Sequence, residues 1–230
     1  MQIGGFQKTS LLDYPETISA IIWTVGCNFR CPFCYNKDIV LGKIGLISEK
    51  EVLSYLKKRK GMLEGLVITG GEPLLQKDIV DFAGKIKKLG YLIKIDTNGC
   101  YPKKLQELLD KKLVDYLAMD VKAPKKKYDQ LTCVKTDLAK IEKSIEIIKT
   151  NAPDYEFRTT FVPHLLKKDD IIEIARWLEG AKNYYLQQFR NNPPLISSKF
   201  NDVVPYLKEY LIETCNAIKP YFKKCGMRGI

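Results

Sequence analysis

The chain has one histidine in 230 residues, no second CxxC pair, and no apolar run approaching the roughly 20 residues that a membrane span requires. The missing second pair removes the usual framework of a structural zinc site. It leaves His164, just after Pro163, as the sole nitrogen candidate for a fourth ligand, and an isolated histidine near a loop reads as an ordinary surface or cap residue. Residues 1–15 lack the charged-then-apolar pattern of a secretory signal, so a cytoplasmic protein is expected and its seven cysteines do not read as a disulfide scaffold. Basic residues do not interleave with aromatics. The formal charge of +11 is spread as lysine along predicted helix faces, which speaks for a solvated surface and makes nucleic acid an unlikely partner. No break in composition divides the chain, and its apolar content suffices for one core, so a single domain over 1–230 is expected.

What is present is concentrated. Cys27, Cys31 and Cys34 fall within the stretch Gly-Cys-Asn-Phe-Arg-Cys-Pro-Phe-Cys-Tyr-Asn, directly after an apolar, β-branched run at 18–25 that reads as a buried strand. Further strands are predicted at 66–69, 91–95, 116–119, 156–162 and 183–189. Helices are predicted after the capping box that opens at Ser48, after Asp78, and over 102–112, 136–149, 169–178 and 203–222. Six strands alternating with six helices imply parallel βαβ units, either an open doubly wound sheet or an incomplete (βα)6 barrel. In both, functional groups gather at the C-terminal strand ends. Those ends carry the cysteine loop, Thr69-Gly70-Gly71-Glu72-Pro73, Asp96-Thr97-Asn98-Gly99, Asp120-Val121-Lys122, Arg158, and Gln187-Gln188 with Arg190.

Three thiolates can hold an iron–sulfur cluster or, with a fourth ligand, zinc. The CxxxCxxC spacing with Phe33 before the last cysteine, followed by Gly70-Gly71-Glu72-Pro73 on the next strand, resembles the signature of the radical S-adenosylmethionine (SAM) enzymes. That resemblance implies an incomplete TIM-like barrel of parallel strands and a [4Fe-4S] cluster on Cys27, Cys31 and Cys34. It implies an open iron that binds SAM, and reductive cleavage of SAM to a 5'-deoxyadenosyl radical. It places Phe33, Tyr35, Gly70, Gly71, Glu72, Asp96, Asn98, Lys122 and Arg158 at the cofactor. Lys122 is expected to meet the SAM carboxylate, and the two glycines to admit the methionine end.

The DTNG and D-x-K segments are similar to those of glycyl-radical-enzyme activating proteins, which implies a possible monovalent cation at Asp96, Thr97 and Asp120. The opening Gly4-Gly5-Phe6-Gln7-Lys8-Thr9-Ser10 through Pro15 resembles activators of anaerobic ribonucleoside-triphosphate reductase. The implied partners are a glycyl radical enzyme as protein substrate and an electron donor such as flavodoxin or ferredoxin. One departure stands out: pyruvate formate-lyase activators carry a histidine where Gln187, Gln188 and Arg190 stand. Other readings are a radical SAM enzyme acting on a small heterocycle, as in deazaguanine synthesis, or on a peptide, and, from another class, a basic zinc- or RNA-binding protein. Cys100 follows the rim motif and is expected near the site; Cys133, Cys215 and Cys225 read as single small apolar residues. Lys125, Lys126 and Lys127 read as a solvated turn or a dock for an acidic partner.

Overall fold

The computed structural model describes residues 1–192 and 194–230. Its strands are β1 (Ile3–Ser10), β2 (Ser19–Thr24), β3 (Gly65–Gly70), β4 (Leu92–Thr97), β5 (Tyr116–Asp120), β6 (Tyr155–Phe161), β7 (Asn183–Gln188) and β8 (Lys224–Arg228). Among the described residues they form one sheet in sequence order, antiparallel between β1 and β2 and parallel thereafter. The helices are α1 (Lys37–Leu41), α2 (Glu49–Lys58), α3 (Ile79–Lys88), α4 (Pro102–Asp110), α5 (Tyr128–Thr132), α6 (Leu138–Asn151), α7 (Lys168–Trp177) and α8 (Lys208–Ile218). A parallel neighbour needs a crossover, and helices supply it between each successive pair from β2 to β8.

Side chains alternate across a strand, and the two faces of this sheet differ in kind. One face packs on the helices in a continuous apolar core that includes Ile22, Ile68, Ile93, Ile95, Leu117, Phe157 and Leu186. The other holds a small cluster of Tyr14, Ile21, Val67 and Tyr116, with Trp23 against it. Tyr14 lies in the β1–β2 connection and Tyr116 on β5, yet their ring centroids are 5.9 Å apart. Neighbouring strands are about 4.8 Å apart, so the sheet must curl for those rings to meet. The result is the incomplete barrel that the family resemblance implies, one of the two arrangements the strand pattern allows, with β1 and β8 at its two edges.

Two strands were not predicted. In β1 two adjacent glycines and an exposed polar run replace the apolar signal, and the pairing with β2 has two irregularities. β8 reads Lys-Cys-Gly-Met-Arg, with no residue fully buried. The predicted helix over 203–222 is shorter: α8 starts at Lys208, and a 3-10 turn at Lys219–Tyr221 places Pro220 in its first turn and hands the chain to β8. With β1 counted, Arg158 stands on the sixth strand and Gln187 on the seventh. No helix among the described residues is long and apolar enough to cross a membrane.

Candidate active site

The cysteine loop leaves β2 through Gly26, whose φ of 92° favours glycine. Backbone bonds fix its root: Val25 N–H donates to Gln2 O, Gly26 N–H to Ile39 O, and the Gln76 side-chain amide to Val25 O. Arg30 closes the first turn by donating from its guanidinium to the carbonyls of Cys27 and Phe29 at 2.6 and 2.7 Å. On the far side, Ile196 N–H reaches Cys34 O at 3.0 Å and Ser197 N–H reaches Pro32 O at 2.9 Å. A segment beyond β7 therefore sutures the loop that follows β2. Burial pushes the Cys27 thiol up to about 11 and the Cys31 thiol up to about 12, and raises that of Cys34; Lys122 pulls all three back toward the thiolate.

The glycine motif packs backbone against backbone. Gly70 has φ 121°, and a Cβ there would strike the Thr24 backbone; on Gly71 it would strike the Gly26 carbonyl. Gly71 N–H donates to Thr24 O and Glu72 N–H to Gly26 O, both at 2.9 Å. In this structure the close approach the glycines permit is to the root of the cysteine loop. Glu72 is fully buried. Its carboxylate accepts from Leu74 N–H at 3.0 Å, the Thr97 hydroxyl at 2.8 Å and Asn98 N–H at 2.7 Å. Burial raises its pKa to about 7 against the pull of those donors. Glu72 thus ties the end of β3 to the end of β4. Asn98 continues the tie, its amide donating to Asn28 Oδ1 at 2.8 Å and standing 3.9 Å from Cys27 Sγ.

Inside the barrel runs a chain of alternating charges. Lys94 donates to Asp96 at 2.6 Å, Arg158 reaches Asp96 at 3.3 Å and Asp120 at 2.9 Å, and Lys122 donates to Asp120 at 3.0 Å. Below it Glu156, with no exposed surface, takes Arg228 at 2.5 and 2.7 Å and the Tyr116 hydroxyl at 2.9 Å. Burial opposes the charged forms of Asp96 and Asp120, but Arg158 with Lys94 and Lys122 more than offsets it, leaving both carboxyls below the ordinary range. The same pairing holds Lys122 and Arg158 firmly protonated.

The structure brings Cys27, Cys31, Cys34, Asn98 and Lys122 into one neighbourhood, with Glu72 behind it and Asp96, Asp120 and Arg158 beside it. Phe33 is buried in the helix-side core, whereas Tyr35 is 57% exposed at the mouth. The residues of the predicted cation site do not converge on an ion here. Asp96 and Asp120 have Lys94, Arg158 and Lys122 as counter-charges, and the Thr97 hydroxyl is spent on Glu72. Cys100 lies beside the loop, its backbone N–H donating to Asn98 Oδ1 at 3.1 Å, and burial pushes its thiol up to about 12. His164 is exposed at a left-handed turn with φ 66°. Lys125, Lys126 and Lys127 pair with Glu142, Glu173 and Asp170, which leaves no uncompensated basic patch in that turn.

Several contributors escaped the sequence reading: Asn28, Gln76, Lys94, Lys104, Glu156 and Arg228. Lys104 donates to the carbonyls of Leu74 and Gln76 and holds the β3–α3 loop. A signal existed for two of them, since Lys94 stands two residues from Asp96 and Glu156 two from Arg158 on predicted strands.

Residues 21–178 match the radical SAM superfamily, and the chain belongs to that superfamily of enzymes. A protein of Methanocaldococcus jannaschii, provisionally named a glycyl-radical enzyme activating enzyme, is 37% identical over 81% of this chain and 79% of its own length. A 7-carboxy-7-deazaguanine synthase of Clostridium acetobutylicum is 33% identical over 81% of this chain and 82% of its own. Streptococcus suis SuiB bound to S-adenosylmethionine superposes with a TM-score of 0.67 at 16% identity, covering 91% of this chain and 50% of that one, which bears on the fold alone.

The superfamily's cofactors are a [4Fe-4S] cluster and SAM, and the donor set fits them. Three buried thiols sit on one backbone-braced loop, and one protonated lysine favours the thiolate form of each. Among the described residues no three His, Cys, Asp or Glu side chains converge as ligands of one metal ion. The cysteines of a four-iron cluster each take a separate iron, so the cluster requires no such point.

Proposed function

We propose that this protein activates a glycyl radical enzyme, with anaerobic ribonucleoside-triphosphate reductase as the partner and a flavodoxin or ferredoxin as the electron source. The observation that carries this reading is the 37% identity to a glycyl-radical enzyme activating enzyme over four-fifths of each chain. The similarity of residues 4–15 to activators of that reductase supports the choice of partner. When bound, the cluster and SAM supply the reductive cleavage that yields methionine and a 5'-deoxyadenosyl radical, the species that removes hydrogen from substrate.

The chain's own residues divide the remaining work. Cys27, Cys31 and Cys34 hold the cluster. Lys122 holds a positive charge beside their sulfurs and is suited to a SAM carboxylate. Gly70 and Gly71 present backbone at the rim, while Asn98 and Tyr35 border the mouth. Asp96, Asp120 and Arg158 hold Lys122 in place and fix the polarity of the barrel interior. Glu72 positions the two loops without facing solvent. A monovalent cation beside Asp96, Thr97 and Asp120 forms no part of the proposal, because it would have to displace Lys94 or Arg158.

The deazaguanine-synthase relative favours a second reading, in which the substrate is a small heterocycle. The two part in one experiment. Anaerobically loaded protein is reduced in the presence of SAM and mixed either with the reductase or with a heterocyclic precursor of 7-carboxy-7-deazaguanine. Activation predicts a glycyl radical signal by electron paramagnetic resonance and no deazaguanine product. The reverse pattern would overturn the activator reading.

A further inference from the structure

Cys215 and Cys225 lie outside the rim and take no part in the site. Cys215 is buried on α8, and Cys225 is the second residue of β8, half-buried on the helix-facing side of the strand. Their sulfurs are 3.5 Å apart. A disulfide needs about 2.05 Å, so the two atoms must close by roughly 1.5 Å. No other cysteine pair among the described residues has a sulfur–sulfur contact of this kind. β8 is an edge strand, bonded to β7 on one side only, and its far end anchors Glu156 through Arg228. Whatever fastens β8 therefore also steadies the lower half of the barrel's charge network.

We propose that Cys215 and Cys225 form a hydroperoxide-oxidisable dithiol whose disulfide fastens the edge strand β8 to helix α8. The chemistry is asymmetric in the required way. The hydrogen bond between the two sulfurs lowers the Cys215 thiol, with help from Lys219, and raises that of Cys225. The Cys215 thiolate attacks one oxygen of hydrogen peroxide; the O–O bond breaks, a sulfenic acid forms, and the leaving hydroxide becomes water on protonation. The Cys225 sulfur then attacks the sulfenic sulfur, the S–O bond breaks, and a second water leaves with the Cys225 proton. In sum, two thiols and one hydrogen peroxide give one disulfide and two waters: the sulfurs lose two electrons and the peroxide gains them. A dithiol reductant reverses the state.

The test uses the full cluster-loaded chain under argon, treated with one equivalent of hydrogen peroxide, alkylated, digested and mapped by mass spectrometry. The expected result is a linked peptide joining Cys215 to Cys225, lost on reduction and absent from Cys215→Ser and Cys225→Ser, with exposed Cys133 alkylated throughout. Alkylation of both Cys215 and Cys225 after peroxide, or sulfinic acid at either one without a link, would overturn the proposal. The fastening itself is read by amide hydrogen exchange over Lys224–Arg228. Exchange several-fold slower in the oxidised wild type than in the reduced protein is expected, with no change on peroxide treatment of Cys225→Ser. Equal rates in the two wild-type states would remove the latch.

Discussion

The two faces of the sheet do opposite work. Toward the helices, Ile93, Ile95, Leu117, Phe157 and Leu186 are fully buried among apolar neighbours. On the same strands one residue away, Lys94, Asp96, Asp120, Glu156 and Arg158 carry charge into the barrel. A fully apolar interior would stabilise at less risk, because desolvating charges often costs what their attraction returns. The contrast teaches that stability and chemistry occupy alternate residues of the same strands. A change on one face should damage one property and largely spare the other.

The largest effect is expected at the rim. Cys27→Ala, Cys31→Ala or Cys34→Ala should abolish 5'-deoxyadenosine formation while far-ultraviolet circular dichroism and thermal unfolding of the cluster-free chain stay near wild type. Next is the helix face, where Phe157→Ala should cost about 3–5 kcal/mol by denaturant unfolding. The protein that remains folded should still assemble its cluster. Arg158→Ala crosses the division, since it leaves Asp96 and Asp120 without their shared partner. A loss of about 3–5 kcal/mol is expected together with loss of SAM cleavage. Normal stability in that variant would show that the interior charges are not coupled through Arg158.

Glu72 gives a smaller, pH-dependent effect. Its folded pKa of about 7 lies above the ordinary 4.5, so its contribution is fully present below that value and is lost as pH rises through about 7. Wild-type stability should therefore fall between pH 5 and 8 by an amount on the order of 3 kcal/mol from this group. Glu72→Gln should flatten that slope while lowering stability at acid pH, because an amide cannot accept from Leu74, Thr97 and Asn98 together. The smallest effect is expected from Cys215→Ser, which should leave SAM cleavage intact.

The sequence was most legible where one residue type had one reason to be there. Strands β2 and β3 announce themselves as short apolar, β-branched runs and β4 to β7 as short apolar or aromatic segments between helical periods, while CxxxCxxC followed by Gly-Gly-Glu-Pro marks the rim. The edge strands were hidden because an edge needs no apolar face on both sides, so Ile3–Ser10 and Lys224–Arg228 look like loops. The role of Glu72 was hidden for a different reason. A carboxylate beside two glycines looks like a ligand contact, and only the fold shows that it faces the backbone of the neighbouring strand end. Gly71 likewise makes room for Gly26, a residue 45 positions earlier that no local pattern connects to it. Charges within strands, such as Lys94 and Glu156, could have been assigned to the barrel by their period of two. Their partners could not, since Arg228 lies on a strand that the sequence did not reveal.

The central claim is that the loop carrying Cys27, Cys31 and Cys34 holds a redox cluster whose work is SAM cleavage. It is tested most directly by anaerobic reconstitution with iron and sulfide, reduction in the presence of SAM, and quantification of 5'-deoxyadenosine. The account predicts a brown protein with four irons per chain that yields 5'-deoxyadenosine and loses it with any one of the three cysteines. A fully loaded cluster that gives none under reducing conditions would contradict it.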